Sequence, residues 1–177
     1  MKVVLQRVKR AQVAVDGSIA GRIEQGIMIL LGVHRDDTRA EAEFLAKKCS
    51  ELRIFGDDAG KMNLSLLDVN GEALVISQFT LYGDTGKGRR PSYIEAAEPG
   101  KGNELYEYFV ACLKGMVRKV ETGIFGAHME VELVNDGPVT LVLEKGPEVH
   151  RSALPAAIPH ANYEGNAFQF PVSLIFR

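Results

Sequence analysis

The segment Ser77-Gln78-Phe79-Thr80 carries two hydroxyl groups that could act as nucleophiles. It ends an apolar run, residues 73–81, that predicts a buried strand, in which alternation would place Ser77 and Phe79 on one face. A nucleophilic Ser or Thr needs a base within hydrogen-bonding reach, and that base usually needs an orienting group. The sequence places no His and acid pair beside this segment, so an ordinary strand end is the alternative interpretation.

A second segment, Asn135-Asp136-Gly137-Pro138, separates two runs that alternate like half-buried strands. Asn, Asp, Gly and Pro all favour turns, so a hairpin turn is the simplest prediction. The Gly137-Pro138 bond also has a cis option, which about 5–6% of X-Pro bonds in folded proteins adopt. The residues alone leave that isomer open.

The histidines do not indicate a metal centre. His34, His128, His150 and His160 form neither H-x-x-x-H nor H-E-x-x-H, which favours structural or surface roles. We therefore expect chemistry without a metal ion. No bound cofactor is expected either.

A glycine-rich loop with three cations follows the first segment. Gly88 stands where a nucleotide-binding P-loop requires Ser or Thr after the lysine, so that motif is absent. Two interpretations stay open. The loop is either a solvated basic surface, or Lys87, Arg89 and Arg90 contact RNA phosphates and position RNA without reading its sequence.

Apolar periodicity predicts the elements that position these segments. Strand patterns occur at residues 13–15, 18–23, 27–33, 73–81, 129–133 and 139–143, and Asp16-Gly17 is a hairpin turn signal. Strands that dominate the chain, with two helices between them at wide intervals, predict an α+β fold. We expect a largely antiparallel, barrel-like sheet with two main covering helices.

Both helices are predicted to be amphipathic. Thr38 and Glu41 form a T-x-x-E capping box, after which Leu45, Cys49 and Leu52 fall on one stripe. The second helix is marked by apolar residues at helical spacing, Leu105, Phe109, Cys112 and Met116, and Gly123 is expected to end it.

Composition and proline placement predict one domain with a tail. The chain has 177 residues, of which 46% are hydrophobic and 25% charged, an ordinary globular balance. Four of the seven prolines lie after residue 145. We therefore expect a domain at residues 1–145 and an extension at 146–177 that wraps the surface and docks its apolar end, residues 168–176.

Charge and cysteine usage favour a cytoplasmic protein that binds no membrane. The net charge is −2, so binding of RNA would need a local basic patch. Cys49 and Cys112 lack pairing or metal-ligand spacing, which favours reduced thiols. No apolar run approaches the roughly 20 residues of a membrane span, and charges come too early for a signal peptide.

Taken together, the two segments resemble the two signature motifs of the D-aminoacyl-tRNA deacylase family. Ser77-Gln78-Phe79-Thr80-Leu81 and Asn135-Asp136-Gly137-Pro138-Val139-Thr140 have the order and spacing of those motifs. Six shorter stretches agree: Val4-Leu5-Gln6-Arg7-Val8, Leu31-Gly32-Val33, Arg53-Ile54-Phe55, Gly60-Lys61-Met62-Asn63, Arg90-Pro91-Ser92 and Thr122-Gly123-Ile124-Phe125. The resemblance covers residues 1–144, and the extension departs from it.

The resemblance implies a homodimer whose active site is shared across the subunit interface, with tRNA as its partner. It implies that a cis Gly137-Pro138 dipeptide, held by Arg7, enters the pocket beside Ser77, Gln78, Phe79 and Thr80 of the other subunit. Main-chain oxygens would then occupy the space of an L side chain. D-amino acids and glycine would pass, which is selection by steric rejection.

The implied reaction is hydrolysis of the ester that joins the amino acid to the terminal adenosine of tRNA. Amides near Phe79 and Thr80 would stabilise the oxyanion, and the ribose 2′-OH would help to orient water. Thr80 is expected to shape the site rather than attack. Phe125 and Met129 are candidates to bind the adenine, with core packing as the alternative.

Two other hypotheses compete with this editing hydrolase. A noncatalytic tRNA-binding module would use residues 87–90, bind with steep salt dependence and leave the ester intact. A structural interaction domain would use its proline-containing tail, and deletion of residues 146–177 would then abolish its main activity.

Overall fold

Eight strands and two helices form residues 1–146, the part of the chain that this computed structural model describes. In chain order they are β1 Lys2–Val15, β2 Ser18–Ile23, β3 Gly26–Gly32, α1 Arg39–Glu51, β4 Phe55–Gly56, β5 Met62–Leu64, β6 Glu72–Ser77, α2 Pro99–Lys114, β7 Val120–Thr122 and β8 Glu130–Glu144. A 3-10 turn, Phe79–Tyr82, follows β6. The predicted docking of residues 168–176 lies outside the described residues.

Six of the strands form one sheet in the order β2-β1-β3-β6-β7, with β8 paired to β1. β1 is antiparallel to β2, β3 and β8, whereas β6 is parallel to β3 and β7. The helices explain this difference, because each parallel pair is joined by a crossover that contains one of them. β4 and β5 form a separate small antiparallel pair.

The sheet curls until its two edges almost meet. A Cβ atom added at Gly21 in β2 would lie 2.7 Å from the carbonyl oxygen of Thr122 in β7, so only a glycine allows this approach. The predicted α+β fold with a barrel-like sheet and two covering helices is therefore confirmed, with β6 as its parallel component.

Two apolar clusters stabilise this arrangement. The larger lies between the sheet and the helices, where side chains such as Leu5, Ile29 and Val75 meet Leu45 and Phe109. The smaller fills the barrel and consists of Val8, Ala11, Val13, Ile23, Met28, Leu74 and Ile76. Odd-numbered residues of β6 thus face the helices and even-numbered ones face the barrel, as alternation along a strand requires.

The first helix begins as its capping box predicts. The Thr38 N–H donates to Oε2 of Glu41 at 2.7 Å, and the Thr38 hydroxyl accepts from the Ala40 N–H at 3.3 Å. Burial opposes ionisation of Glu41, but the Thr38 hydrogen bonds outweigh it and hold the pKa of this carboxyl below its usual value. Helix α1 is therefore specified by local sequence.

The second helix is displaced from its predicted bounds. It begins at Pro99, with the Glu98 carboxylate accepting from the amides of Gly100 and Lys101 at 2.9 and 2.7 Å. It ends at Lys114 and is capped by Gly115, so Gly123 does not end it. Met116 lies beyond the helix and is partly exposed.

The hairpin between β1 and β2 confirms the Asp16-Gly17 prediction. Both residues have positive φ, 49° and 74°, as this tight turn requires. Among residues 1–146, no helix is long and apolar enough to cross a membrane.

Candidate active site

The first signature segment does not continue as a strand. β6 ends at Ser77, and Phe79–Tyr82 forms the 3-10 turn, so the prediction of a strand through residue 81 was wrong. The Gln78 amide still donates to the Leu31 carbonyl at 2.8 Å, which makes it the last rung between β6 and β3. Phe79 therefore does not share a strand face with Ser77.

The start of this turn presents two main-chain amides. The first hydrogen bond within the turn runs from the Leu81 N–H to the Gln78 carbonyl at 3.2 Å. The amides of Phe79 and Thr80 precede it, and first-turn amides have no acceptor inside their own helix. Adjacent amides without an internal acceptor are donors of the kind that could bind a negatively charged oxygen.

Close packing holds the turn against β3. A Cβ atom added at Gly32 would lie 3.1 Å from the Gln78 carbonyl oxygen and 3.0 Å from the Leu81 Cβ. The Gln78 side-chain amide also donates to the Thr80 hydroxyl. These contacts fix where the two amides point.

Within residues 1–146, the hydroxyl groups of this segment have no side chain beside them that could act as a catalytic base. In the described part of the chain, neither Ser77 nor Thr80 hydrogen-bonds to a His, Asp or Glu side chain. The same region contains no group of three or more His, Cys, Asp or Glu side chains that could hold a metal ion. The local geometry thus favours stabilisation by amides over attack by a hydroxyl group.

The second signature segment is an outward excursion within one strand. β1 and β8 pair at Gln6 with Thr140 and at Val8 with Asn135, so Arg7 alone faces residues 136–139. The two strand-like runs are both parts of β8, and the predicted hairpin turn was wrong. The Gly137-Pro138 bond is cis, and both residues are exposed.

Arg7, in the neighbouring strand β1, holds the corner formed by Gly137 and Pro138. Its Nε donates to the Asp136 carbonyl at 2.8 Å and lies 3.4 Å from the Asp136 carboxylate, and Nη1 donates to the Ile54 carbonyl. The contact is with the carbonyl that precedes Gly137, rather than with the oxygens of Gly137 or Pro138 themselves.

Asn135, the first residue of the second signature motif, has a structural role that the motif alone does not indicate. Its Nδ2 donates to the carbonyls of Arg7 and Val139, both at 3.1 Å, and so spans the corner. The signal was present in the sequence, because an Asn side chain at the start of a turn commonly hydrogen-bonds nearby main chain.

Phe125 and Met129 lie in the segment after β7, at the same end of the sheet as Ser77. Gly123 donates to the Val75 carbonyl at 3.3 Å, which anchors this segment to β6. Phe125 lines a cavity of about 300 Å³ and its ring centroid lies 5.9 Å from that of Tyr106. Met129 packs over Gly123 and against the barrel cluster. Both side chains are half-buried, so each is partly accessible.

Tyr106 supports the same end of β6 from helix α2. Its hydroxyl donates to the Val75 carbonyl at 2.9 Å. Burial raises the pKa of Tyr106 to about 12, so this group stays a neutral donor at physiological pH. The helix thus fixes the strand that leads to the 3-10 turn.

Within one protomer the two signature segments stay apart. β8 carries Gly137 and Pro138, β6 carries Ser77, and both β1 and β3 lie between them in the sheet. Three strand spacings correspond to a separation on the order of 14 Å. The structure therefore places Phe125 and Met129 at the same end of the sheet as residues 77–80, and groups Arg7 with Gly137 and Pro138.

The chain is similar to proteins of one family over nearly the whole described region. Residues 4–144 match the family described as D-Tyr-tRNA(Tyr) deacylase. A D-aminoacyl-tRNA deacylase of Thermosipho africanus is 60% identical over 144 residues, which cover 81% of this chain and 97% of that protein. A D-aminoacyl-tRNA deacylase of Koribacter versatilis is 56% identical over 148 residues, which cover 84% of this chain and 99% of that protein.

Solved structures share the fold. The structure titled c-Myc DNA Unwinding Element Binding Protein superimposes with a TM-score of 0.79 at 40% identity, covering 82% of this chain and 99% of that one. A probable eukaryotic D-amino acid tRNA deacylase gives a TM-score of 0.68 at 18% identity, covering 80% and 97%, a likeness of fold alone. On the family match and these identities, the chain belongs to the D-Tyr-tRNA(Tyr) deacylase family.

Proposed function

We propose that this protein is a carboxylic ester hydrolase that removes D-amino acids, and glycine mischarged on alanine tRNA, from tRNA. The observation that carries this proposal is the corner at Gly137 and Pro138. Arg7 and Asn135 hold it in one position, yet both of its residues are exposed in the protomer. A main-chain projection that is held in place and yet exposed among residues 1–146 suits insertion into a second molecule.

A homodimer would supply that second molecule. The corner is too far from residues 77–80 of its own protomer to share a small pocket with them, as the two intervening strands require. In a twofold pair each corner would enter the site of the other subunit. Val142, four residues along β8 from Pro138, is 72% exposed and would give this interface apolar surface.

The inserted corner would select against L-amino acids by exclusion. Main-chain oxygens of Gly137 and Pro138 would occupy the volume into which an L side chain projects from the α-carbon. A D side chain points elsewhere and glycine projects nothing, so both would fit. Rejection by a fixed obstacle needs no favourable contact with the D side chain, so several D-amino acids should be substrates.

The amides of Phe79 and Thr80 would stabilise the negative charge that develops on the ester carbonyl oxygen during attack by water. Preorganised donors of this kind are worth about 10²–10³ in rate for each one removed. The ribose 2′-OH of the substrate would orient the water, and Thr80 would shape the site. Phe125 and Met129 would bind the terminal adenine. This chemistry uses no metal ion or cofactor.

The free thiols and the tRNA substrate favour a cytoplasmic location. Cys49 and Cys112 are unpaired in the structure. Reduced thiols of this kind are usual where the compartment is reducing.

Deacylation of matched substrates tests the reaction and its selectivity together. Purified full-length protein should release D-tyrosine from D-tyrosyl-tRNA and glycine from glycyl-tRNA, and should spare L-tyrosyl-tRNA, with and without EDTA. Hydrolysis of the L and D esters at equal rates would contradict the exclusion mechanism. Binding of tRNA without hydrolysis of any ester would instead support the noncatalytic tRNA-binding module.

A further inference from the structure

The loop after the 3-10 turn concentrates positive charge that the protein leaves unpaired. Lys87, Arg89 and Arg90 are exposed, and among residues 1–146 none of the three takes part in an ion pair or hydrogen bond. The one acidic side chain of the loop, Asp84, hydrogen-bonds within the loop, since its Oδ1 accepts from the Gly86 amide at 2.8 Å. In a chain of net charge −2, three free cations within four residues form a distinct local patch.

This basic loop, residues 84–92, follows the 3-10 turn after a single residue, Gly83. Its ends are closed by two main-chain hydrogen bonds between Asp84 and Ser92, at 2.8 and 2.9 Å. The Gly83 amide donates to the Thr80 carbonyl at 2.9 Å. On the other side, the rings of Tyr93 and Phe79 meet edge-on with centroids 5.1 Å apart. The cations therefore lie seven to ten residues along the chain from Thr80, on a loop that packs against the turn.

The main-chain conformation of a glycine accounts for the turn at the tip of the loop. Gly88 has φ of +71°, a conformation that residues with side chains rarely adopt, and it separates Lys87 from Arg89. Nothing lies within 4 Å of the position that its Cβ would take, so the tip projects into solvent. The cations are thus presented outward.

We propose that this basic loop binds the phosphodiester backbone at the acceptor end of tRNA and so places the terminal ester at the 3-10 turn. The proposal rests on the proposed function for its substrate. Arginine forks and lysine ammonium groups are the usual protein ligands of phosphate. Exposed aromatic rings beside them, here Phe79 and Tyr93, are typical of surfaces that hold single-stranded nucleic acid.

A charge-matched pair of variants tests the proposal. The loop variant is Lys87→Gln with Arg89→Gln, and Arg90 is kept because it adjoins the Asp84–Ser92 bridge. The control is Lys47→Gln with Lys48→Gln, which removes equal charge from an exposed part of α1. Binding of uncharged tRNA is measured against NaCl concentration. The loop variant should raise Kd at least about tenfold at low salt and reduce the slope of log K against log salt by about 1.4, while the control changes little.

Two hydrolysis substrates separate docking from chemistry. With D-tyrosyl-tRNA, the loop variant should raise KM and leave kcat nearly unchanged. With the D-tyrosyl ester of adenosine, which lacks the upstream phosphates, both parameters should stay as in the wild type. Equal loss on both substrates would overturn the proposal, because the loop would then only support the turn. An unchanged Kd for tRNA would overturn it as well.

Competition assays decide whether the loop binds the phosphates of an RNA chain or any free phosphate. A short single-stranded RNA should displace tRNA from the wild-type protein far better than inorganic phosphate or AMP at equal concentration. Equal competition by inorganic phosphate would make the loop an ion site and overturn the RNA contact. If the wild-type protein binds tRNA and hydrolyses no ester, the proposed function fails, and the binding comparison still decides the role of the loop.

Discussion

The guanidinium of Arg7 donates from Nε to the main-chain oxygen of Asp136 at 2.8 Å, across the gap where β8 leaves β1. Arg7 is the single β1 residue that faces the four-residue excursion of β8. Its side chain is only 15% exposed, so the contact is sheltered from solvent. The position of the exposed corner therefore depends on Arg7 from the neighbouring strand together with Asn135 from β8 itself.

Arg7→Lys should separate the geometry of this contact from its charge. Lysine keeps the charge but cannot reach the carbonyls of both Asp136 and Ile54 with fixed, divergent donors. We expect kcat/KM for D-tyrosyl-tRNA to fall at least about tenfold, with a loss of about 1–3 kcal/mol in the free energy of unfolding. Deacylation and thermal melting measure the two effects. Arg10→Lys on the same strand is the control, because the Arg10 side chain makes no hydrogen bond within residues 1–146 while its main chain pairs with Val134. Equal behaviour of both variants would contradict the role of Arg7.

Gly137→Ala should disturb the corner directly. A Cβ atom at this position would lie 2.0 Å from the Val139 nitrogen, so the main chain must shift. We expect hydrolysis of D-tyrosyl-tRNA to fall at least about tenfold, or the ratio of L to D hydrolysis to rise by a similar factor. Gly56→Ala is the matched control, because nothing lies within 4 Å of its added Cβ. A Gly137→Ala protein with wild-type rate and chirality would count against steric exclusion.

Local sequence was sufficient for the elements whose signals are local. The capping box at Thr38, the Asp16-Gly17 turn and the buried strand β3 all formed where residue type and periodicity predicted them. Helix α2 ended early because Gly115 caps it, although apolar spacing continues to Met116. Periodicity indicates which face is buried and is a weaker guide to where a helix ends.

The two site segments were mispredicted because distant contacts decide their conformation. Phe79 and Leu81 continue the alternation of β6, yet the chain turns there and packs on Gly32. Asn135-Asp136-Gly137-Pro138 has the composition of a hairpin turn. Pairing with Gln6 and Val8 on either side of the excursion nevertheless keeps both halves of β8 beside β1. Motif resemblance singled out these two segments, and only the tertiary structure shows their shapes.

Glu72 should make stability fall in acid. Burial opposes its ionisation, but the Glu24 amide at 2.9 Å and the side chains of Lys119 and Arg118 outweigh it and lower its pKa. A group with a lowered folded-state pKa stabilises the protein above its unfolded pKa, about 4.3, and this contribution is lost as pH falls further. Chemical denaturation between pH 7 and pH 3 should show a smaller loss in Glu72→Gln than in the wild type. Identical pH profiles would show that Glu72 contributes nothing to acid sensitivity.

Neither cysteine should take part in the reaction. Burial raises the pKa of Cys49 to about 12, and burial together with the Glu43 carboxylate raises that of Cys112. The reactive thiolate is therefore scarce at neutral pH. Iodoacetamide at pH 7.5 should leave deacylation intact and should modify Cys49 only after unfolding, as mass spectrometry would record. Rapid inactivation that substrate prevents would point to a catalytic thiol.

Two changes at position 80 distinguish main-chain from side-chain catalysis. Thr80→Ala keeps the amide and removes the hydroxyl, whose one side-chain partner in the described region is Gln78. We expect activity within about tenfold of wild type, whereas loss of a true nucleophile costs about 10⁴-fold or more. An amide-to-ester replacement at residue 80 keeps the hydroxyl and removes the N–H, and should cost about 10²–10³ in kcat. Binding of uncharged tRNA and circular dichroism control for folding in both proteins. If Thr80→Ala loses its activity while the variant with the main-chain ester stays active, the hydroxyl attacks the substrate and the amide is dispensable.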